Sequence, residues 1–233
     1  MNNTVITLLV VLGFLVLTVL MFLLTVSSAS RWGKRLGEML TSLGFHASPE
    51  DKEVLAQRLK IVNERHSGRR LVMHLYRYVS IEKDYTLYFC DYRFSSASGK
   101  ARGAQQLVVC LTSKKLTLPR FTVEPIPQQT GVTGNILRAM VNAIPLPGLR
   151  RVETANPSFN QRYTLYVAEE RPQTNFLPDI VINRLISKEG IYLDAKSDTL
   201  ILRSLDVDYR QLDTQKASDL IAMAKKLFDD FGH

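Results

Sequence analysis

DYTLYFCDYRFSSASGKARGAQQLVVCL, residues 84–111, decides the fold, because its middle admits two incompatible readings. Read as a phosphate loop, the Gly99-Lys100 pair would sit between a strand and a helix in an α/β domain. Such a loop needs Gly-x-x-x-x-Gly-Lys followed by Ser or Thr, so that backbone amides cradle phosphates and the hydroxyl holds magnesium. Here Phe94 stands at the first glycine position and Ala101 at the hydroxyl position, and residues 105–111 (QQLVVCL) read as a hydrophobic strand. Read as a hairpin, the same stretch is two aromatic and β-branched strands joined by a small-residue loop, with Gly99 supplying a positive φ. The hairpin accounts for more, and it commits the domain to antiparallel pairing.

Pairing about Lys100 would make facing residue numbers sum to 200 and set Cys90 opposite Cys110, the only two cysteines. That register offers a cross-strand thiol pair. A reducing compartment would keep it as thiols, and a slip of one or two residues would part the two.

Outward from the hairpin, RRLVMHLYRYV (69–79) reads as a preceding strand, with a turn near Glu82-Lys83. KLTLPRFTVEP (115–125) reads as an edge or bulged strand because Pro119 interrupts it. Ser48-Pro49-Glu50-Asp51 has the form of a helix start, with Ser48 as N-cap, Pro49 at the first position and two acids in the first turn. QRYTLYVAEE (161–170) reads as a strand, and a helix is expected from about Pro178 to Gly190. A hairpin follows around residues 195–198. The last helix starts near Asp213 or Thr214 and has Leu220, Ile221, Ala224, Leu227, Phe228 and Phe231 on one face. The expected fold class is α+β: an N-terminal transmembrane helix, then an antiparallel β-sheet domain with packed helices, the last of them amphipathic.

The transmembrane expectation comes from VITLLVVLGFLVLTVLMFLLTV, residues 5–26, which carries no charge and would make about 33 Å of helix. Thr7, Thr18 and Thr25 can return their hydroxyls to the helix backbone. Ser27-Ser28-Ala29 resembles a signal-peptidase site, but no Lys or Arg precedes the run and it exceeds the usual apolar core of a signal peptide. Arg31, Lys34 and Arg35, with Trp32 beside them, follow the run, which places the N-terminus outside and the C-terminal domain in the cytoplasm. The domain plan is an anchor over 1–30, a juxtamembrane segment over 31–47 and a soluble α+β domain over 48–233.

The formal charge of +8 is uneven: residues 31–120 hold 17 Lys and Arg against 8 acids, residues 121–204 hold 9 against 8, and residues 205–233 hold 4 against 6. A basic membrane-proximal half suits an anionic leaflet. Nucleic acid is not expected as a partner, since the basic residues are scattered and no binding motif accompanies them. The segment 126–148 contains Ile136, Leu137, Arg138, Met140, Val141 and Ile144 at helical spacing, with Arg150 and Arg151 just beyond. It reads as a helix closing one end of the sheet, or as a contact for membrane or a protein partner. The four histidines have no metal-ligand spacing, and no nucleophile elbow or dinucleotide fingerprint occurs, so neither cofactor nor catalysis is expected.

Tyr88 and Tyr92, Gly99-Lys100, Gln106, Leu118-Pro119-x-Phe121 with Pro125, and Asn156-Pro157-x-Phe159-x-x-x-Tyr163 together resemble a group of bacterial single-span membrane-anchored domains of unknown function. The resemblance covers residues 84–168 and implies an anchored soluble domain; it carries over no catalytic residues. The functional expectation is a non-enzymatic accessory or interaction domain at the cytoplasmic face. The alternative is a domain that binds anionic lipid headgroups or a small ligand.

Overall fold

The structure, a computed structural model, describes residues 12–18, 32–62, 70–94, 104–126, 147–170, 176–204 and 214–232. The chain divides into two compact units, residues 1–43 and 44–233.

In the first unit, residues 12–18 are helical, and Thr18 donates its hydroxyl to the Phe14 carbonyl at 2.8 Å, one turn back. Residues 32–42 form α1, which ends where the Leu43 amide bonds the Met39 carbonyl and Gly44 takes φ 83°, the left-handed stop that glycine supplies most cheaply. Among the described residues no helix is long and apolar enough to cross a membrane, and most of the 5–26 run lies outside them.

The second unit is α+β. Nine strands form one antiparallel sheet: β1 (His46–Ala47), β2 (Arg70–Ser80), β3 (Tyr85–Phe94), β4 (Ala104–Thr112), β5 (Leu118–Pro125), β6 (Leu149–Val152), β7 (Tyr163–Ala168), β8 (Ile191–Ser197) and β9 (Thr199–Ser204). Their order is β1-β2-β3-β4-β9-β8-β5-β7-β6. The helices are α2 (Lys52–Val62), α3 (Pro157–Arg162), α4 (Asp179–Ile186) and α5 (Thr214–Phe231).

The sheet separates the helices into two layers. On one face α2 brings Leu55 and Leu59 onto Leu75, Cys90, Tyr92, Val108, Cys110 and Ile201. On the other, α5 lies across β4 and β9, and Phe228 meets Tyr85 edge-on at 5.0 Å. α4 packs between α3 and α5, where Arg184 clamps Asp230 at 2.5 and 3.0 Å. The central strands are therefore buried on both faces, and Leu87, Phe89, Val109, Leu111, Leu200 and Leu202 are fully covered.

Four expectations need correcting. Facing numbers in the β3–β4 hairpin sum to 198, so Cys90 faces Val108 and Cys110 faces Tyr88. The change of two in the register sum moves each thiol one diagonal step from the other. Of the two expectations for β5 the edge gives way, since the strand lies between β8 and β7, and the bulge holds, falling between Leu118 and Phe121 around Pro119. Ser48 does not cap a backbone amide. Its hydroxyl lies 2.9 Å from both Glu50 Oε1 and Asp51 Oδ2, and the first turn, Pro49–Asp51, is a 3-10 turn. Finally, the chain before the Tyr163 strand is helical: Asn156 accepts from the Phe159 amide at 3.1 Å, with Pro157 at the first position of α3.

Candidate functional site

The α2-covered face changes character as it crosses the sheet. Where β9, β8, β5 and β7 run side by side, the register aligns Arg203 with Tyr192, Ile201 with Asp194, Asp194 with Thr122, Thr122 with Tyr166 and Glu124 with Thr164. All of these point to one side, and Thr122, Glu124, Thr164, Tyr166, Asp194 and Arg203 are buried. Arg203 Nη2 is 2.8 Å from Asp194 Oδ2, a diagonal pair within reach of a long side chain. Thr122 donates to Asp194 Oδ1 at 2.8 Å, Arg203 Nη1 reaches Gln106 Oε1 at 3.3 Å, and the guanidinium sits 4.9 Å from the centre of the Tyr192 ring.

Both carboxylate oxygens of Asp194 are thus occupied. The pair is close to electrically neutral, which is what lets a charge stand inside a sheet at all. Two polar atoms of the cluster, Arg203 Nε and Thr164 Oγ1, are buried without a hydrogen-bond partner among the described residues. An all-apolar face would be cheaper to bury, so the cluster fixes register or serves recognition more than it adds stability.

At the end of the sheet where β8 turns into β9, the β5 bulge opens a groove of about 540 Å³ lined by Leu116, Thr117, Leu118, Pro119, Phe176, Ser197 and Asp198. Its polar side is already engaged. Arg58 Nη1 lies 2.9 Å from both Asp198 oxygens and 3.0 Å from Thr199 Oγ1, which ties α2 to the turn. Burial alone would raise the Asp198 carboxyl, but its bonds to Arg58 and Thr199 outweigh that and hold it below the usual range.

The thiols belong to the α2 cluster. Burial pushes Cys90 well above its ordinary range, and burial pushes Cys110 up to about 12 against an opposing pull from Arg58. Both are free and fully buried.

Of the membrane-flanking set, Trp32 is half-buried in α1 while Lys34 and Arg35 are exposed; Arg31 lies outside the described residues. Lys34 sits 3.9 Å from Glu38 one turn on, an exposed pair of small energetic weight. Ile136, Leu137, Arg138, Met140, Val141 and Ile144 also lie outside the described residues. Arg150 and Arg151 are exposed on β6, the outermost strand, which sequence reading passed over because two arginines in four residues hide any alternation. The polar cluster was missed too. Its available signal was Arg203, the lone charge of β9, and Asp194, set between the apolar Leu193 and Ala195 of β8 in the same hairpin. Among the described residues no group of three or more His, Cys, Asp or Glu side chains is placed to hold a metal ion.

No family model, no curated protein and no solved structure matches the chain.

Proposed function

We propose that this chain is an anchored interaction domain. A single helix over residues 5–26 spans a bacterial inner membrane, the N-terminus lies outside, and the α+β domain stands at the cytoplasmic face, where it contacts a protein partner. The observation that carries this reading is the helical stretch 12–18, whose apolar side chains are turned outward: Phe14 is 72 % exposed, and Leu12, Leu15, Val16 and Leu17 exceed half exposure. In water such a helix would be penalised; in hydrocarbon it is the expected form, and the Thr18 hydroxyl bonded to its own helix suits the same setting. The exposed cations Lys34 and Arg35 follow on the side that positive charge selects as cytoplasmic.

Binding in preference to catalysis is supported by the way the Arg203–Asp194 pair is closed on itself, with Thr122 on the second carboxylate oxygen. For partner contact the sheet offers β6, paired among the described residues with β7 alone, with Arg150 and Arg151 displayed; an outer strand can accept an added strand, and two arginines favour acidic side chains opposite.

The test is extraction. The full chain should stay with membranes through an alkaline carbonate wash, and a chain lacking residues 5–26 should appear in the wash. Release of the full chain would overturn the reading.

A further inference from the structure

One end of the sheet gathers several turns, because the register sets Thr86, Thr112 and Thr199 side by side. Ser113 fastens them: its hydroxyl donates to the Asp84 carbonyl at 2.6 Å and its amide to the Asp198 carbonyl at 2.9 Å. At the point of the β2–β3 turn stands Ile81, 91 % exposed, followed by Glu82, Lys83 and Asp84. Turn geometry does not ask for isoleucine; Gly, Asn, Asp, Ser and Pro make turns, and a side chain this exposed contributes nothing to a core.

Behind Ile81 are Tyr78 and Tyr85, their rings 6.4 Å apart, with Lys225 Nζ 4.5 Å from the centre of the Tyr78 ring. Lys114 and Lys115 are exposed on the turn beside it. Tyr85 is buried in the core, so the tip is flanked by half-buried Tyr78 and by lysine, and an exposed apolar residue beside them suits a membrane–water interface. The chain also enters the domain here: a β carbon on Gly44 would lie 3.5 Å from the Tyr78 ring, and Phe45 packs on that ring at 5.5 Å, three residues before Ile81 along β2.

We infer that the β2–β3 turn seats Ile81 in the bilayer interface, so that this end of the domain faces lipid. The inference rests on the anchored reading and adds which surface meets the membrane. Lys83 is bonded to Asp229 at 2.8 Å, and Glu82 and Asp84 against Lys114, Lys115 and Lys225 leave the tip a single positive charge, so the apolar side chain and not charge drives the contact. The partner is a zwitterionic lipid surface, for which phosphatidylcholine vesicles serve as the probe, and added salt leaves the contact in place.

The experiment uses the full chain in phosphatidylcholine vesicles, with a polarity-sensitive fluorophore on Ile81→Cys. A second label on Lys188→Cys sits before β8, about 20 Å of strand away from the turns. Cys90 and Cys110 are buried, so the probe goes to the introduced thiol. The expected result is blue-shifted emission and quenching by spin-labelled lipid at position 81, neither of them at 188, and no change in high salt. A probe placed by Glu82→Cys should show the same shift and lose it when Ile81→Ser is added. Water-like emission at 81 in chains that float with the vesicles overturns the inference and leaves the anchor standing. Failure to float removes the anchor and the inference together.

Discussion

Thr122, Asp194 and Arg203 meet across three strands, and their bonds are the most exacting in the domain because each partner is buried. Asp194→Asn leaves a buried guanidinium without its counter-ion and should cost about 3–5 kcal/mol, whereas Thr122→Val removes one bond and should cost about 1–3 kcal/mol. Denaturant midpoints of the full chain in detergent check both; equal losses would mean that the pair is not the centre of the cluster. The Asp198 carboxyl gives a pH signature. Its folded value lies below the unfolded one, so the protein gains stability as pH rises across the interval between the two and loses it as pH falls through the folded value. Asp198→Asn should flatten that acid limb. Raised thiol values make Cys90 and Cys110 poor nucleophiles at neutral pH, so thiol reagents should react slowly with the folded chain and quickly once it unfolds. None of these pairings could be read along the chain. Asp194 and Thr122 are 72 positions apart, and only strand order brings them together.

Elements were more legible than contacts. Aromatic and β-branched runs located β2 and β3, a short hydrophobic run located β4, and the apolar face of α5 appears in the structure as buried Leu220, Ile221, Ala224, Leu227 and Phe228. Leu227→Ala should cost about 2–5 kcal/mol by opening a cavity against the sheet. What escaped was short or ambiguous. α3 has six residues, too few for a helical period, and Asn156-Pro157 reads equally as a turn. Its place in the fold explains the Asn-Pro-x-Phe-x-x-x-Tyr spacing: Asn156 caps, Phe159 is fully buried and stacks on Tyr163 at 5.4 Å, and the Tyr163 hydroxyl bonds the Lys188 carbonyl. Asn156→Ala should therefore cost about 1 kcal/mol in the same unfolding measurement, and no loss would show that the cap is redundant. The hairpin was recognised from its strands, yet its register slipped by two because loop composition does not state which residue sits at the apex.

At the scale of the whole molecule, charge and hydropathy carry the argument. An uncharged run, cations after it and a basic first half point to one membrane and one side of it, while the fold of the domain is indifferent to that placement. The two-layer sheet supplies an exposed arginine pair on β6 at one edge and an apolar tip at one end; whether they face cytoplasm follows from orientation alone. Orientation is therefore the measurement to make, with paired fusions after His233: a fluorescent protein that matures in the cytoplasm and an alkaline phosphatase active only outside it. The account predicts fluorescence and no phosphatase activity. Phosphatase activity without fluorescence would contradict it and place the domain on the opposite face of the membrane.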